Sequence, residues 1–506
     1  MFNYYLISFL SGVASSFSLP PYNLILINFL TFPILLFILV NIKEKNNSSW
    51  LNFKIGWFFG LGYFLSNIYW IVYSLTFEDI FKPLIPFALI LIPSFLAIFY
   101  GIATLITSKF SLKKKLSSIL IFSLSFSLVE FFRGFILGGF PWNLIAYSWI
   151  NHLNSLQILS IIGTYSFNLL TITVFTLPLL IFYKKNIRTK IFSIIFILLI
   201  LSFNYLYGSW KIKNDEKFYT EFKNLKIKII SPKIKISRFF EYDNEKDIIE
   251  ELIELSNPKN SQETIFVFPE GALAGVNFDK LKSFKQLFLN NFSENHTIIM
   301  GINTEKSARI YNSMIVLDNE LNLLDQYSKI KLVPFGEFLP FEKIFKKFGL
   351  KKISYGYKSF SKGNERKLIF IDNKEFNFIP LICYEIIYSG NINKQLDRTN
   401  FIINISEDGW FGNSIGPHQH FSHAIFRSIE EGKNIIRSTN NGISAYIDSN
   451  GIEIAKLKST QRGVIEINKY KKNNRTFFTK FGNKIFFYFV LIYIILLFFI
   501  YKRERQ

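Results

Sequence analysis

Long apolar runs alternate with short basic segments over roughly the first 207 residues of the chain. The runs are rich in Ile, Leu, Phe and Ser. Most of them approach 20 residues, the length of helix that spans about 30 Å of hydrocarbon. The pattern predicts eight transmembrane helices, one of them near the C-terminus: 4–18, 22–40, 55–76, 83–107, 116–135, 156–183, 191–208 and 485–501.

The positions of Lys and Arg orient these predicted helices. Basic residues cluster in four places: 43–54, 109–115, 184–190 and 502–505. Cytoplasmic loops carry an excess of Lys and Arg, so successive clusters must be separated by an even number of crossings. We therefore expect both termini in the cytoplasm and the segment between the last two clusters, apart from its flanking helices, on the opposite side of the membrane.

One ionisable pair lies near the end of the fifth predicted helix. Glu130 and Arg133 are three residues apart and therefore share a helix face. Two interpretations are open, a local ion pair at the outer membrane interface and a contact with a lipid headgroup. Ionisable groups at membrane depth are costly, which keeps the second interpretation open.

Between about 209 and 484 the pattern changes to short apolar runs bounded by turn residues. The predicted strands are 225–230, 264–269, 296–302, 311–318, 367–372, 376–383, 400–406 and 443–448. Helical patterns lie near 244–256, 279–291 and 419–433. Strands interleaved with helices indicate a layered α/β domain. The predicted domains are a seven-helix transmembrane region, a linker, an α/β domain, and a C-terminal helix with its tail: 1–208, 209–224, 225–470 and 471–506.

Composition narrows the possible functions. Of the 506 residues, 50% are hydrophobic, the formal net charge is +21 and there is one cysteine. A simple soluble globule, a disulfide framework and a Cys-based metal site are therefore excluded. A mildly basic outer domain suits a surface near phospholipid headgroups. The chain contains no Gly-rich phosphate loop or RNA-binding signature, so we expect no nucleic-acid partner.

Three groups of reactive residues follow predicted strands, where active-site loops are often built. Glu270 follows an apolar strand in FVFPEGAL. Lys329 and Glu337 lie in YSKIKLVPFGEFLP, and Cys383 and Glu385 lie in FIPLICYEI. Each group alone is a weak signal, because a single Cys after a strand is more often a small buried hydrophobe. Together they supply a nucleophile, a carboxylate base and an ammonium, which suffice for covalent acyl transfer.

The order and context of these residues resemble a known superfamily. Glu270, Lys329 and Cys383 lie in P-E-G, Y-x-K-x-x-L-V-P-F-G-E and C-Y-E contexts, which resemble the nitrilase (carbon–nitrogen hydrolase) superfamily. The multi-span region and the strings VPFGEFLP and DGWFGNSIGPHQH (408–420) are similar to its apolipoprotein N-acyltransferase branch. The resemblance covers essentially the whole chain. It implies a four-layer αββα sandwich joined to a multi-span helical membrane domain.

The resemblance also implies a reaction. A fatty acyl chain leaves a membrane phospholipid as a thioester on Cys383. It then passes to the α-amine of the N-terminal diacylglyceryl-cysteine of an apolipoprotein. Glu270 is expected to act as general base and Lys329 to stabilise the oxyanion. No cofactor is implied, and the expected location is a bacterial inner membrane, with the catalytic domain in the periplasm and the protein working as a monomer.

Other residues have expected supporting roles. We expect Glu337, Glu385 and Tyr384 to support the catalytic groups. Aromatic residues near the motifs are candidates for binding acyl chains: Phe335, Phe338, Trp410 and Phe411. His418, His420 and His423 form H-x-H-x-x-H, but this spacing does not match a recognised zinc pattern, so we expect no metal.

Two segments depart from the family pattern. Residues 229–240 lack the Gln-Gly-Asn-type sequence that usually begins the sandwich domain, and they lack the Trp that usually follows it. Phe239 or Phe240 would substitute for this Trp. The usual Ser-Asn-Asp before WFG is replaced by Ser406, Glu407 and Asp408.

Two other functions remain as alternatives. A membrane-anchored amidase or nitrilase-type hydrolase would use the same three residues, but a single anchoring helix would be enough for it. A transporter or receptor would need paired charges within discontinuous spans. The predicted spans here are almost uncharged.

Overall fold

The computed structural model describes most of the chain: residues 2–45, 48–110, 112–113, 115–183, 187–215, 218–239, 244–273, 275–340, 359–390, 392, 398–472 and 475–505. The chain divides into two compact units. The first unit comprises Met1–Val72, Pro83–Asp215 and Thr476–Gln506. The second comprises Tyr73–Lys82 and Glu216–Arg475.

Among its described residues, the regular structure of the first unit is helical. Its long helices are Phe2–Ser16, Asn28–Lys45, Ser49–Ile68, Ile85–Ser108, Leu116–Arg133, Leu159–Thr176, Ile187–Asp215 and Lys484–Arg505. Shorter helices are Leu153–Leu156, Leu179–Tyr183 and Phe477–Phe481. Apolar side chains dominate these helices because hydrocarbon offers no partners to polar groups.

Seven helical segments within the described residues are long and apolar enough to cross a membrane. They are Ile25–Ile42, Ser49–Leu75, Asp79–Ser108, Leu116–Arg133, Leu159–Phe182, Ile194–Asp215 and Lys484–Arg503. They correspond to seven of the eight predicted spans, including both spans predicted between 116 and 183. The remaining predicted span, 4–18, is the 15-residue helix Phe2–Ser16, which is shorter than a full crossing needs. The chain is a membrane protein.

Glu130 and Arg133 form an ion pair inside the helical unit. Both side chains are fully buried, with Arg133 Nη2 3.6 Å from Glu130 Oε1. Glu130 also accepts hydrogen bonds from the Tyr100 hydroxyl, at 2.9 Å, and from the Asn168 amide. The pair therefore connects three helices by polar contacts, as membrane helices often are. The predicted ion pair is present, and both of its side chains are buried inside the helical unit.

The second unit contains fourteen strands within the described residues. They are β1 (Tyr219–Glu221), β2 (Lys226–Ser231), β3 (Thr264–Val267), β4 (His296–Lys306), β5 (Arg309–Leu317), β6 (Leu323–Ser328), β7 (Ile369–Ile371), β8 (Phe376–Ile382), β9 (Phe401–Glu407), β10 (Asn434–Asn440), β11 (Ser444–Ile447), β12 (Glu453–Leu457), β13 (Gly463–Ile467) and β14 (Lys469–Lys471).

Twelve of these strands form two six-stranded sheets. One sheet has the order β13-β2-β3-β4-β5-β6, and the other has the order β12-β11-β10-β9-β8-β7. The central strands run parallel, β2 with β3 and β4 in one sheet and β8 with β9 and β10 in the other. Because parallel neighbours end at the same edge of a sheet, the loops after β3, β8 and β9 are available to build a site.

The two sheets pack face to face between helices. The Ser438 hydroxyl of β10 donates to the Ile230 carbonyl of β2 at 2.8 Å, which joins the two sheets. Outside one sheet, the helix Glu245–Ser256 buries Ile249 in a core with Phe266 and Ile298. Outside the other sheet lies the helix Gly416–Glu431. Two further helices among the described residues of this unit are Phe278–Leu281 and Lys285–Asn291. The predicted α/β sandwich is confirmed.

The described residues on either side of 208 form regular structure. The helix Ile187–Asp215 continues seven residues beyond the predicted end at 208. Within the predicted linker 209–224, β1 then pairs with β14, with Thr220 opposite Tyr470. The polar residues after 208 therefore form the end of a helix and a short strand.

Candidate active site

Glu270, Lys329 and Cys383 follow the ends of β3, β6 and β8. Their side chains are buried in the second unit, with residue exposures of 8%, 1% and 8%. Three polar residues at this depth need partners, because burying an unpaired charge is costly. Lys329 forms an ion pair with Glu270, and Cys383 lies near enough to interact electrostatically with both, so the three predicted residues form one buried cluster.

The Lys329 ammonium lies between two carboxylates. Its Nζ is 3.3 Å from Glu270 Oε1 and 3.0 Å from Glu337 Oε1. Burial alone would lower the pKa of Lys329, but the two carboxylates reverse this effect and raise the pKa well above its usual value. Lys329 is therefore a fixed positive charge at any physiological pH.

Glu270 is held by contacts from three further directions. The Asn312 amide donates to Glu270 Oε1 and to Glu337 Oε1, both at 2.7 Å. The backbone N–H of Glu407 donates to Glu270 Oε2 at 3.0 Å. Gly301 on β4 lies directly beneath, since a Cβ at this position would be 2.6 Å from Glu270 Cα. The carboxylate therefore has one defined orientation.

Cys383 begins a short turn immediately after β8 and has a φ of +48°, a conformation that is uncommon for a residue with a side chain. Burial raises the pKa of its thiol, and the Glu270 carboxylate adds to this effect. Lys329 and a hydrogen bond from Ser406 act in the opposite direction without reversing the shift. The thiol is therefore protonated at neutral pH, so it needs a base to become a nucleophile.

Glu385 connects the loop that carries Lys329 to the loop that carries Cys383. Its Oε1 accepts hydrogen bonds from the backbone N–H groups of Ile330 and Lys331, and its Oε2 accepts one from the N–H of Ile382 at 2.9 Å. Arg366 forms a buried ion pair with the same carboxylate at 2.9 Å. Glu385 thus joins the loop of Lys329 to the loop of Cys383. Tyr384 is buried beside it, with its ring 5.5 Å from that of Tyr388.

The two segments that depart from the family pattern contact each other. The Arg238 guanidinium forms a fully buried ion pair with the Glu407 carboxylate. Asn440 also donates to Glu407, at 2.8 Å. Since the N–H of Glu407 binds Glu270, this ion pair anchors the peptide that orients the proposed base.

A second buried network lies behind Cys383. Nε2 of His420 donates to the Cys383 carbonyl at 3.3 Å, and Asp408 lies 2.9 Å from Nδ1 of His420. Burial would raise the pKa of Asp408, but His420 and Arg437 lower it to about 2. Burial lowers the pKa of His420, with Asp408 opposing this shift. The network holds the main chain of Cys383.

The three histidines of H-x-H-x-x-H do not share one site. His418 is exposed, whereas His420 and His423 are buried. Within the part of the chain that the structure describes, no group of three His, Cys, Asp or Glu residues is arranged to hold a metal ion.

The candidate acyl-binding aromatics have different environments. Phe335 is 46% exposed, Phe338 is half-buried, and the Phe411 ring lies edge-on to His420 at 5.5 Å. Trp410 packs against Phe239 with ring centroids 5.5 Å apart. Phe239 therefore occupies an aromatic position next to Trp410. The other predicted substitute for the missing Trp, residue 240, lies outside the described residues.

Comparison with known proteins decides the family. Residues 11–177 match the apolipoprotein N-acyltransferase N-terminal domain, and residues 247–468 match carbon–nitrogen hydrolase. The apolipoprotein N-acyltransferase of Brucella melitensis is 30% identical over 480 residues, which cover 91% of this chain and 88% of that protein. The apolipoprotein N-acyltransferase of Rickettsia prowazekii is 32% identical over 451 residues, covering 87% and 88%. The chain belongs to the apolipoprotein N-acyltransferase family.

Family membership makes the chain an acyltransferase of the carbon–nitrogen hydrolase superfamily. Among solved structures, a carbon–nitrogen hydrolase superfamily protein from Xanthomonas campestris aligns with a TM-score of 0.35 and 14% identity, covering 49% of this chain and 90% of that chain. An amidase from Nesterenkonia aligns with a TM-score of 0.36 and 10% identity, covering 49% and 92%.

The sequence analysis does not predict three groups that surround Glu270, Lys329 and Cys383. Asn312 is one of many Asn residues, and no motif marks it. Arg238 and Glu407 are 169 positions apart, so only the fold brings them together. His420 is part of a string that resembles the family, but its contact with the Cys383 carbonyl was not predicted.

We expect Arg238→Met to lower the free energy of unfolding by about 3–5 kcal/mol, because it leaves the buried Glu407 carboxylate without its counterion. Chemical denaturation of the full-length protein in detergent measures this loss. Arg462→Met is the matched control. Its ion pair with Glu251 is exposed, so its cost should be below about 1 kcal/mol.

Adding Glu407→Gln to Arg238→Met removes the uncompensated charge and should recover part of the loss. An Arg238→Met cost no larger than that of Arg462→Met would contradict a stabilising role for the buried pair.

Proposed function

We propose that this acyltransferase moves a fatty acyl chain from a membrane phospholipid to the α-amine of an N-terminal diacylglyceryl-cysteine, with Cys383 carrying the chain as a thioester. Membership of the family shows that the general activity of the enzyme is lipoprotein N-acylation. The observation that carries the thioester is the chain's single cysteine, buried and electrostatically coupled to Glu270 and Lys329. Those three groups are a nucleophile, a base and a cation.

In the first half-reaction the Cys383 sulfur attacks the ester carbonyl of the phospholipid. The thiol proton passes to Glu270 as the carbon–sulfur bond forms, because burial leaves too little thiolate at neutral pH. The Lys329 ammonium stabilises the oxyanion. The intermediate then expels the lysophospholipid alkoxide, which takes the proton back from Glu270 and leaves the acyl group on sulfur.

In the second half-reaction the neutral α-amine of the lipoprotein attacks the thioester. An α-amine has a pKa of roughly 7.7–8.0, so a substantial fraction is already neutral near pH 7.5. Glu270 takes a proton from the amine nitrogen, and the thiolate leaves and regains that proton. The products are an amide and the free thiol, so the enzyme returns to its starting state.

Glu337 and Glu385 act as positioning residues in this proposal. Glu337 holds Lys329 at 3.0 Å and also accepts the backbone N–H of Val333 at 2.8 Å. Glu385 fixes the peptides on either side of the reaction centre. The half-buried or exposed aromatics are proposed to receive acyl chains: Phe335, Phe338, Trp410 and Phe411.

The location and partners follow the same proposal. The substrates are a phospholipid donor and a diacylglyceryl apolipoprotein acceptor, and we propose that a monomer acts at a bacterial inner membrane. The excess of Lys and Arg in alternate loops supports cytoplasmic termini and a periplasmic catalytic unit. A membrane-anchored amidase would use the same residues, but the family comparisons do not favour it.

Incubation with phospholipid alone should add one acyl mass to Cys383. Intact-protein and peptide mass spectrometry measure the adduct, and hydroxylamine should remove it because thioesters react with this nucleophile. A diacylglyceryl-cysteine peptide should discharge the adduct to an N-acyl product. Absence of any adduct during active turnover would contradict the thioester. A hydrolase would instead release free fatty acid at the same rate with and without the peptide.

Glu270→Gln should lower the rate of Cys383 acylation at pH 7 by about 10²–10⁴, the usual contribution of a general base. The remaining reaction requires preformed thiolate. The raised pKa of the Cys383 thiol keeps the thiolate fraction small at pH 7, and this fraction grows about tenfold for each pH unit. The residual rate should therefore rise about tenfold per pH unit from pH 7 to 9. Single-turnover acylation measured by mass spectrometry tests this slope. A residual rate independent of pH would contradict the role of Glu270 as proton acceptor.

A further inference from the structure

Two lysines beside the candidate active site have no role in the proposed reaction. Lys331 follows Lys329 by two positions, and its backbone N–H donates to Glu385 Oε1 at 3.2 Å. Since Glu385 also binds the backbone N–H of Ile382 at 2.9 Å, Lys331 lies where the loops after β6 and β8 meet. The second lysine is Lys362.

The segment that carries Lys362 is hydrogen-bonded to the loop after β6. The backbone N–H of Phe360 donates to the Glu337 carbonyl at 2.9 Å, and that of Gly363 donates to the Lys329 carbonyl at 2.8 Å. Lys362 lies between these two anchored residues. Its position beside the candidate active site is therefore fixed by the main chain.

Neither lysine is neutralised by a carboxylate of the described residues. Glu385, which binds the main chain of Lys331, forms its buried ion pair with Arg366, at 2.9 Å. The Lys331 ammonium instead lies 5.0 Å from the centroid of the Tyr388 ring. An aromatic face attracts a cation but carries no net charge. The positive charges of Lys331 and Lys362 are therefore uncompensated.

These positive charges act on one another. Burial lowers the pKa of Lys331, and the nearby Lys362 and Arg366 lower it further, while Glu385 opposes the shift without reversing it. Like charges held together in this way favour a bound ion of opposite charge. Lys331 is half-buried and Lys362 is exposed, so an anion from outside the protein can reach the cluster.

The proposed acyl donor carries such an anion next to its ester. The phosphodiester of a glycerophospholipid is negatively charged at neutral pH, and its phosphorus lies a few bonds from the ester carbonyl. Two extended residues, the separation of Lys331 from Lys329, span about 7 Å, which is comparable to that length. With the oxyanion at Lys329, the phosphate is thus within reach of Lys331, and ammonium groups are common phosphate ligands.

We propose that Lys331 and Lys362 bind the phosphate of the phospholipid donor while its ester lies at Cys383. The two ammonium groups select phosphate-bearing esters over uncharged esters as acyl donors. This inference rests on the proposed function, because it takes the acylation of Cys383 by phospholipid as its starting point.

Single-turnover acylation of the full-length protein in mixed micelles tests the proposal. Intact-protein mass spectrometry measures the acylation rate as the mole fraction of donor increases, with phosphatidylglycerol or with diacylglycerol of the same acyl chains. The half-saturating mole fraction of the wild type should be about tenfold lower for phosphatidylglycerol, as a charge-assisted contact predicts. Replacing both lysines, Lys331→Gln with Lys362→Gln, should raise it about tenfold and remove the preference. The rate at saturating donor should change less than about twofold, because the lysines bind the donor equally before and during the reaction.

Two further variants separate charge from structure. Lys331→Arg with Lys362→Arg keeps both positive charges and should retain most of the preference. Lys259→Gln is the matched control, because Lys259 is exposed and precedes β3, whereas Glu270 follows the other end of that strand. It should leave both half-saturating mole fractions unchanged. Equal effects of Lys259→Gln and of the paired Gln substitutions would overturn the proposal.

The comparison of the two donors in the wild type does not depend on the folding of any variant. Acylation of Cys383 with no preference for phosphatidylglycerol would refute the phosphate site and leave the proposed function standing. Acylation by neither donor would refute the proposed function, and the phosphate site with it. A site for free phosphate would leave the two donors equal until inorganic phosphate was added and would then affect both alike, which would also overturn the proposal.

Discussion

A single buried ammonium, that of Lys329, holds the candidate catalytic cluster together. Lys329 contacts Glu270 and Glu337, and Asn312 donates to the same two carboxylates. Without Lys329, two buried negative charges would share one amide, and like charges at this distance oppose each other strongly. The loops after β3 and β6 are therefore fixed by charge compensation as much as by packing. Every role proposed for Glu270 depends on this arrangement.

The same electrostatics constrains the chemistry. Burial opposes a negative charge on the Cys383 sulfur, the Glu270 carboxylate adds to this opposition, and Lys329 does not outweigh them. In the proposed reaction, proton transfer to Glu270 removes this conflict, because the proton leaves sulfur as negative charge moves to the substrate oxygen. In the same proposal, Lys329 faces the developing oxyanion with no reorganisation. A buried, neutral thiol can therefore take part in the proposed acyl transfer only with Glu270 as proton acceptor and Lys329 as cation.

The strongly patterned parts of the chain could be predicted from sequence. The spans and strands such as β8 are apolar runs, and Glu270, Lys329 and Cys383 lie in recognisable motifs. Strand β10 was not predicted because its sequence, NIIRSTN, is polar, yet Arg437 and its neighbours are buried and hydrogen-bonded. The Arg238–Glu407 pair could not be predicted either, since neither residue gains meaning until the sheets place them together.

A double-mutant cycle on the single-turnover rate of Cys383 acylation tests the dependence on Lys329 most directly. Glu337→Gln should slow acylation about tenfold in the wild type, because it releases Lys329 from its position. In a Lys329→Met background the same substitution should cost less than about twofold, since Glu337 then has no ammonium to hold. Equal costs in the two backgrounds would show that Glu337 acts independently of Lys329 and would contradict the account.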